Sequence, residues 1–245
     1  MNKQDKKTNQ SASLKETIKP ALWLLVLPAS LAWLCTINDP FAREVAVNSV
    51  PIGQLHGSQR ANIGIAAHAI NGRVLRPGQI FSFNAVVGPR TQKRGYYRSP
   101  SYVEGETPST VGGGICVVSS ALYRLALGTN LKIVERHAHT RPMKTVDPGF
   151  DATVWDGGPD LKFENAYSKP VELKADVDGD MLRVSILSDR SVSPAPAFNA
   201  YRMLERNPQG ELWVTVCEKG SDGKLHQISR DAYQLPTQQR TAKLN

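Results

Sequence analysis

A chain of 245 residues, 40% hydrophobic and 21% charged, is long enough for one globular domain with a sizeable core and some appended segments. Part of its formal charge of +8 is local, because five lysines against two acids precede Pro20. The remainder is moderately basic and evenly spread, with no Lys/Arg block interleaved with aromatics. This disfavours nucleic-acid binding and leaves attraction to an anionic membrane or cell-wall polymer as sufficient explanation.

Residues 1–19 are polar and lysine-rich without aromatics, and read as a disordered, cytoplasmic basic tail. The apolar run A-L-W-L-L-V-L-P-A-S-L-A-W-L-C-T-I follows, so 20–37 reads as a single-pass transmembrane signal anchor. Trp23 and Trp33 sit near its ends, and the preceding lysines place the C-terminal part outside the cytoplasm of a bacterial cell. A cleaved signal peptide is the rival, although no clear small-x-small site follows. Leu34 directly before Cys35 argues against lipoprotein processing. Pro40, Pro51 and Gly53 mark 38–56 as a linker.

A helix is expected from Ser58, with Ile63, Ala66, Ala67 and Ile70 on one face and a stop at Asn71-Gly72. A turn at Leu75–Gly78, a short strand at Ile80–Phe83, a basic loop from Gly88 to Gly95 and a strand around Ser101 to Val103 come next. Gly112, Gly113 and Gly114 then lead into a second helix whose apolar face carries Ile115, Val118, Leu122, Leu125 and Ala126. Leu131, Ile133, Glu135, His137 and His139 alternate onto one side of a strand. D-A-T-V-W from Asp151 reads as another strand, and Leu161–Phe163 as a further one. Val171–Val177 and Met181–Leu187 form a hairpin around Asp178-Gly179. The tail from Phe198 to Leu235 holds two or three short strands. The expected class is α+β, a central Cys-bearing helix on an antiparallel-rich sheet.

Cys116 falls in the first turn of its helix, where outward N–H groups and the helix dipole favour a thiolate. His137 or His139 could act as its base, Asp151 could orient the imidazole, and N–H groups near Ile115 to Val117 could hold an oxyanion. Asp opens a strand at 151, an unfavourable place unless something uses it. The competing structural reading makes Cys116 a small buried hydrophobe and the glycines a packing device. A third reading makes Gly112, Gly113 and Gly114 an anion-binding nest, with Arg136 and Arg141 clamping a carboxylate. His137 and His139 with Asp151 or Cys116 also form a zinc-type donor set. No H-E-x-x-H or second histidine cluster accompanies them, so no metal and no cofactor is assigned. Asp147, Asp156 and Asp160 sit beside Gly or Pro and read as turn formers. A disulfide between Cys116 and Cys217 would abolish the nucleophile.

Four stretches carry a resemblance: R-P-G-Q-I-F-S-F-N-A-V-V-G-P-R-T, V-G-G-G-I-C-V-V-S-S-A-L-Y, E-R-H-A-H-T-R-P and D-A-T-V-W. Together, and in this order, they resemble the VanW family of Gram-positive cell envelopes, named from vancomycin-resistance clusters. The resemblance covers roughly Gly57 to Leu187, so after the tail, anchor and linker the chain is read as a VanW-like domain at 57–190 and a β-rich extension at 191–245. It implies an envelope protein with peptidoglycan or its precursors as partner. Combined with the Cys116 motif, it suggests a cysteine-dependent acyl-transfer or amide-hydrolysis enzyme acting on peptidoglycan-like peptides. The alternative is a non-catalytic module binding cell-wall peptide or a partner protein through the same pocket. Val117 stands where the family usually has Gln after the cysteine, and Ala138 where it has Pro.

Overall fold

A computed structural model describes residues 39–101, 109–196, 198–220 and 222–235. The expected tail and apolar anchor, and residues 102 and 103 of the expected strand at 101–103, lie outside these residues. The fold mixes antiparallel sheets with few helices. Among the described residues, no helix is long and apolar enough to cross a membrane.

The largest sheet has four antiparallel strands in the order β1 (Arg43–Pro51), β9 (Met181–Ser188), β8 (Val171–Asp178) and β2 (Arg73–Leu75). Two helices cover it: α1 (Gly57–Ile70) lies against β8, and α3 (Cys116–Leu127) against β1 and β9. The sequence period explains the packing. Ile63, Ala66, Ala67 and Ile70 of α1 and Val118, Leu122, Leu125 and Ala126 of α3 are all buried, in one core with Leu173, Val184 and Ile186. The hairpin at 171–188 forms as expected.

Two expectations are corrected. The segment 38–56 is not merely a linker, because Arg43–Pro51 is an edge strand of the main sheet. Pro51 is tolerated because it is the strand's last residue. A register shift between Glu44 and Ala46 breaks the alternation that would have advertised the strand. The segment 151–155 is extended but joins no ladder. Its backbone pairs instead with side chains of α3 and with the carbonyl of His137.

A second sheet runs β3 (Ile80–Ser82), β7 (Lys162–Asn165), β6 (Leu131–Glu135), and a two-stranded hairpin pairs β4 (Arg98–Pro100) with β5 (Ser109–Val111). After Ser82 the chain turns into a short helix, α2 (Phe83–Val87). The C-terminal strands β10 (Ala200–Arg206), β11 (Glu211–Lys219) and β12 (Leu225–Gln234) form a meander with its own apolar cluster of Leu212, Val214, Val216, Tyr233 and Leu235. Phe150 joins that cluster, so the loop before Asp151 is fastened to the C-terminal sheet.

Candidate active site

The glycine run is a tight turn that delivers α3. Gly113 passes so close to β4 that a Cβ would sit 2.6 Å from the Ser99 and Pro100 carbonyl oxygens. Gly114 has a φ of 99°, which other residues rarely adopt. Buried Asn62 of α1 ties this turn down, donating to the carbonyls of Gly113 and Tyr97 at 3.0 Å each. The N–H groups of Gly112 and Gly113 are spent on the carbonyls of Tyr97 and Thr110. The turn therefore does not offer them as an anion nest.

Cys116 is the first residue of α3, half-buried, with Sγ 3.6 Å from the Val154 carbonyl oxygen. Two serines one turn further along α3 fix the facing segment. Ser119 Oγ donates to the Ala152 carbonyl at 2.7 Å, and Ser120 Oγ accepts from the Ala152 N–H at 2.9 Å. Asp151 is thereby brought beside the helix, and it holds His139 twice. Its Oδ2 accepts from the His139 backbone N–H at 2.6 Å and meets ring Nδ1 at 2.7 Å. With Nδ1 so committed, Nε2 is the ring nitrogen left to act on the Cys116 thiol, whose ionisation His139 favours.

The electrostatics favour the ionised pair. Burial alone would raise the Cys116 thiol, but the hydrogen bond and charge of His139, with smaller help from Val154 and Arg90, bring it below its ordinary value. Burial would lower His139, whereas its hydrogen bonds to Asp151 and Cys116 raise it to about 9. Asp151, despite burial, is held down to about 2 by His139, Arg136 and Tyr233.

Asp151 has further partners that no local pattern announces. Tyr233 donates its hydroxyl to Oδ1 at 2.5 Å, and Arg136 reaches Oδ1 at 3.2 Å and the Asp151 carbonyl at 2.7 Å. Burial and the Asp151 charge raise Tyr233 far above its ordinary value, so it remains a phenol donor. Arg136 also pairs with Asp231 at 2.6 Å and lies over the Tyr123 ring. Both Tyr233 and Asp231 come from β12.

Of the candidates, the structure thus gathers Cys116, His139 and Asp151. His137 is exposed on the cleft wall and turns to Glu135 at 3.1 Å, because β6 ends at Glu135 and the alternation does not continue. Arg136 is a buried partner of Asp151 and Asp231 instead of a clamp. Arg141 is exposed and does not line the cleft. Cys116 and Cys217 are free thiols, with Cys217 buried in β11, so no disulfide joins them. Among the described residues, no group of three or more His, Cys, Asp or Glu is placed to hold a metal ion. Asp160 does more than turn the chain: it accepts from Ser82 Oγ at 2.6 Å and the Asn84 N–H at 2.8 Å.

Cys116 and His139 open onto a cleft of about 800 Å³. The three glycines and Arg90 form part of its wall, with Thr153, Trp155 and Asp156 on another part. Residues 58–187, more than half of the chain, match the family model described as VanW like protein. The chain belongs to the VanW family. Among relatives, uncharacterized protein YoaR of Bacillus subtilis (strain 168) is 44% identical over 131 residues, covering 54% of this chain and 43% of that protein. The vancomycin B-type resistance protein VanW of Enterococcus faecalis (strain ATCC 700802 / V583) is 28% identical over 134 residues, 53% of this chain and 49% of that one. The matched region spans less than half the length of either relative. No solved structure matches the chain. The VanW match includes Cys116, His139, Asp151 and Arg90, and ends before Asp231 and Tyr233.

Proposed function

We propose that this VanW-family protein is a cysteine-dependent acyl-transfer or amide-hydrolysis enzyme acting on peptidoglycan-like peptides in the bacterial cell envelope. The observation that carries this reading is that Cys116 and His139 line one peptide-sized cleft, with His139 held by Asp151 and favouring the Cys116 thiolate. The Cys116 thiolate attacks an amide carbonyl carbon, forming the S–C bond as the carbonyl electron pair moves to oxygen. N–H groups at the start of α3 face that oxyanion. The Val117 N–H is already bonded to the Gly114 carbonyl at 3.1 Å and the Ile115 N–H, at 3.5 Å, to the Gly112 carbonyl, which leaves the Cys116 N–H as the donor. Collapse breaks the C–N bond, and the departing amine takes the Nε2 proton of His139. Water or a second amine then gives its proton to Nε2 and attacks the thioester, releasing the thiolate. Asp151 keeps the imidazole oriented throughout. In this reading residues 20–37 anchor the chain in the cell membrane, 57–190 form the VanW-like domain outside it, and 191–245 are its β-rich extension.

The test is intact-mass analysis of the full chain incubated with a peptidoglycan stem tetrapeptide. A covalent adduct on Cys116, with matching amine release, is expected and should vanish in Cys116→Ala and His139→Ala. Saturable binding with neither adduct nor amine release would replace the enzyme by a peptide-binding module.

A further inference from the structure

The segment 76–91 carries one of the VanW-like motifs, yet no residue of it hydrogen-bonds Asp151, His139 or Cys116. Its residues converge on one guanidinium. Ser82 and the Asn84 N–H share the Asp160 carboxylate, which fixes the start of α2. The Asn84 amide then donates to the carbonyls of Trp155 at 3.0 Å and Pro159 at 2.9 Å, and its Oδ1 accepts from Arg90 Nη2 at 2.6 Å. The Arg90 stem packs on Gly112, where a Cβ would come within 2.8 Å of it, and its head lies over the Phe83 ring.

Arg90 is only 8% exposed, lines the same cleft as Cys116, and has two nitrogens, Nε and Nη1, with no hydrogen-bond partner. Among the described residues no carboxylate stands within ion-pair distance of it. The contrast with Arg136 is direct: that equally buried guanidinium has both Asp151 and Asp231. A buried charge with no counter-ion in contact, only the more distant Asp156, Asp160 and Cys116, is costly, and its open N–H groups suit a carboxylate as a charge-assisted acceptor. Thr153 Oγ1, on the same cleft, is likewise buried without a partner.

We infer that Arg90 is the subsite for a free carboxylate on the peptide substrate, one that ends close to the amide presented to Cys116. This rests on the cleft being a peptide site, and is independent of whether Cys116 reacts. It selects peptides whose C-terminus is unblocked.

The experiment uses the full chain carrying Cys116→Ala, so that binding is measured without turnover. Titration calorimetry compares a stem tetrapeptide ending in D-alanine as free acid and as C-terminal amide. The acid should bind about tenfold or more tighter. Arg90→Gln should abolish the preference, and Arg90→Lys, which keeps charge but loses the planar set of donors, should keep part of it. Equal affinity for acid and amide, binding of neither, or a preference that survives Arg90→Gln overturns the assignment. The acid-to-amide ratio needs no variant at Arg90, so it stands even where those variants fold poorly. An acid preference in a protein whose intact Cys116 never acquires an adduct refutes the acyl-transfer reading and leaves the subsite. An adduct formed equally from acid and amide does the reverse.

Discussion

Replacing His139 by alanine should quench the nucleophilicity of Cys116 while His137→Ala leaves it intact. The two largest influences on the thiol are opposed: burial, which disfavours the thiolate, and His139, which favours it. Removing the imidazole leaves burial opposed only by the smaller effects of Val154 and Arg90, so the inflection of the alkylation profile should move from below the ordinary cysteine value to above it. A hydrogen bond to a charged group is worth about 1.5–3 kcal/mol, which corresponds to roughly ten- to hundredfold less thiolate at neutral pH. His137 contacts Glu135, not Cys116, and its loss should change the rate by less than about twofold. The assay is the iodoacetamide rate against pH on the full chain with Cys35→Ser and Cys217→Ser, so that Cys116 is its remaining thiol. The wild-type rate should stay high through neutral pH, since His139 holds its proton to about 9. A slow rate indifferent to His139, or a loss produced by His137→Ala, would refute the reasoning.

Three further outcomes follow from the same geometry. Tyr233→Phe removes the hydroxyl shared by Asp151 and the Gly149 N–H, and should cost about 1.5–3 kcal/mol in urea unfolding, with a smaller fall in the Cys116 alkylation rate. Asp151 is lowered from 3.8 to about 2, so its contribution, on the order of 2 kcal/mol, is present above pH 3.8 and lost as pH falls through 2. Unfolding measured across that window should show the loss in wild type and a flatter profile in Asp151→Asn. Gly113→Ala forces a Cβ to 2.6 Å from two carbonyl oxygens, and should lower stability by about 1–3 kcal/mol in a thermal melt.

What was legible in the sequence was legible because it was periodic or locally odd. The helical stripes of α1 and α3 and the alternation of β8 and β9 each bury the residues their spacing implies. Cys116 after three glycines and Asp151 at the start of an extended segment were local exceptions, and both meet in the site. Choosing between His137 and His139 was beyond alternation, because the strand that would have set their faces stops at Glu135. Arg136 and Arg141 invited an anion-clamp reading by charge alone, whereas pairing, which sequence does not display, makes Arg136 internal. Tyr233 and Asp231 stand 82 and 95 residues from their partners in the site. No spacing rule reaches across that distance. Arg90 stands inside a VanW-like motif, but its significance is the missing partner, which no sequence pattern displays.

The dependence of the site on β12 also limits what Asp151 can do. Its two oxygens together receive the His139 ring and backbone, Tyr233, Arg136 and a longer contact from the Gly149 N–H at 3.3 Å. A carboxylate with that many donors is stabilised as the anion and makes a poor proton acceptor. In the proposed reaction the His139 proton therefore does not pass to Asp151, whose part is to fix the tautomer and orient the ring. Part of that stabilisation comes from residues beyond 187, where the VanW match ends. A VanW-family chain without an equivalent sheet would leave this carboxylate with fewer donors, a higher pKa and a weaker hold on its histidine. The C-terminal strands are thus tied to the ionisation of Cys116 through two hydrogen bonds and one buried arginine.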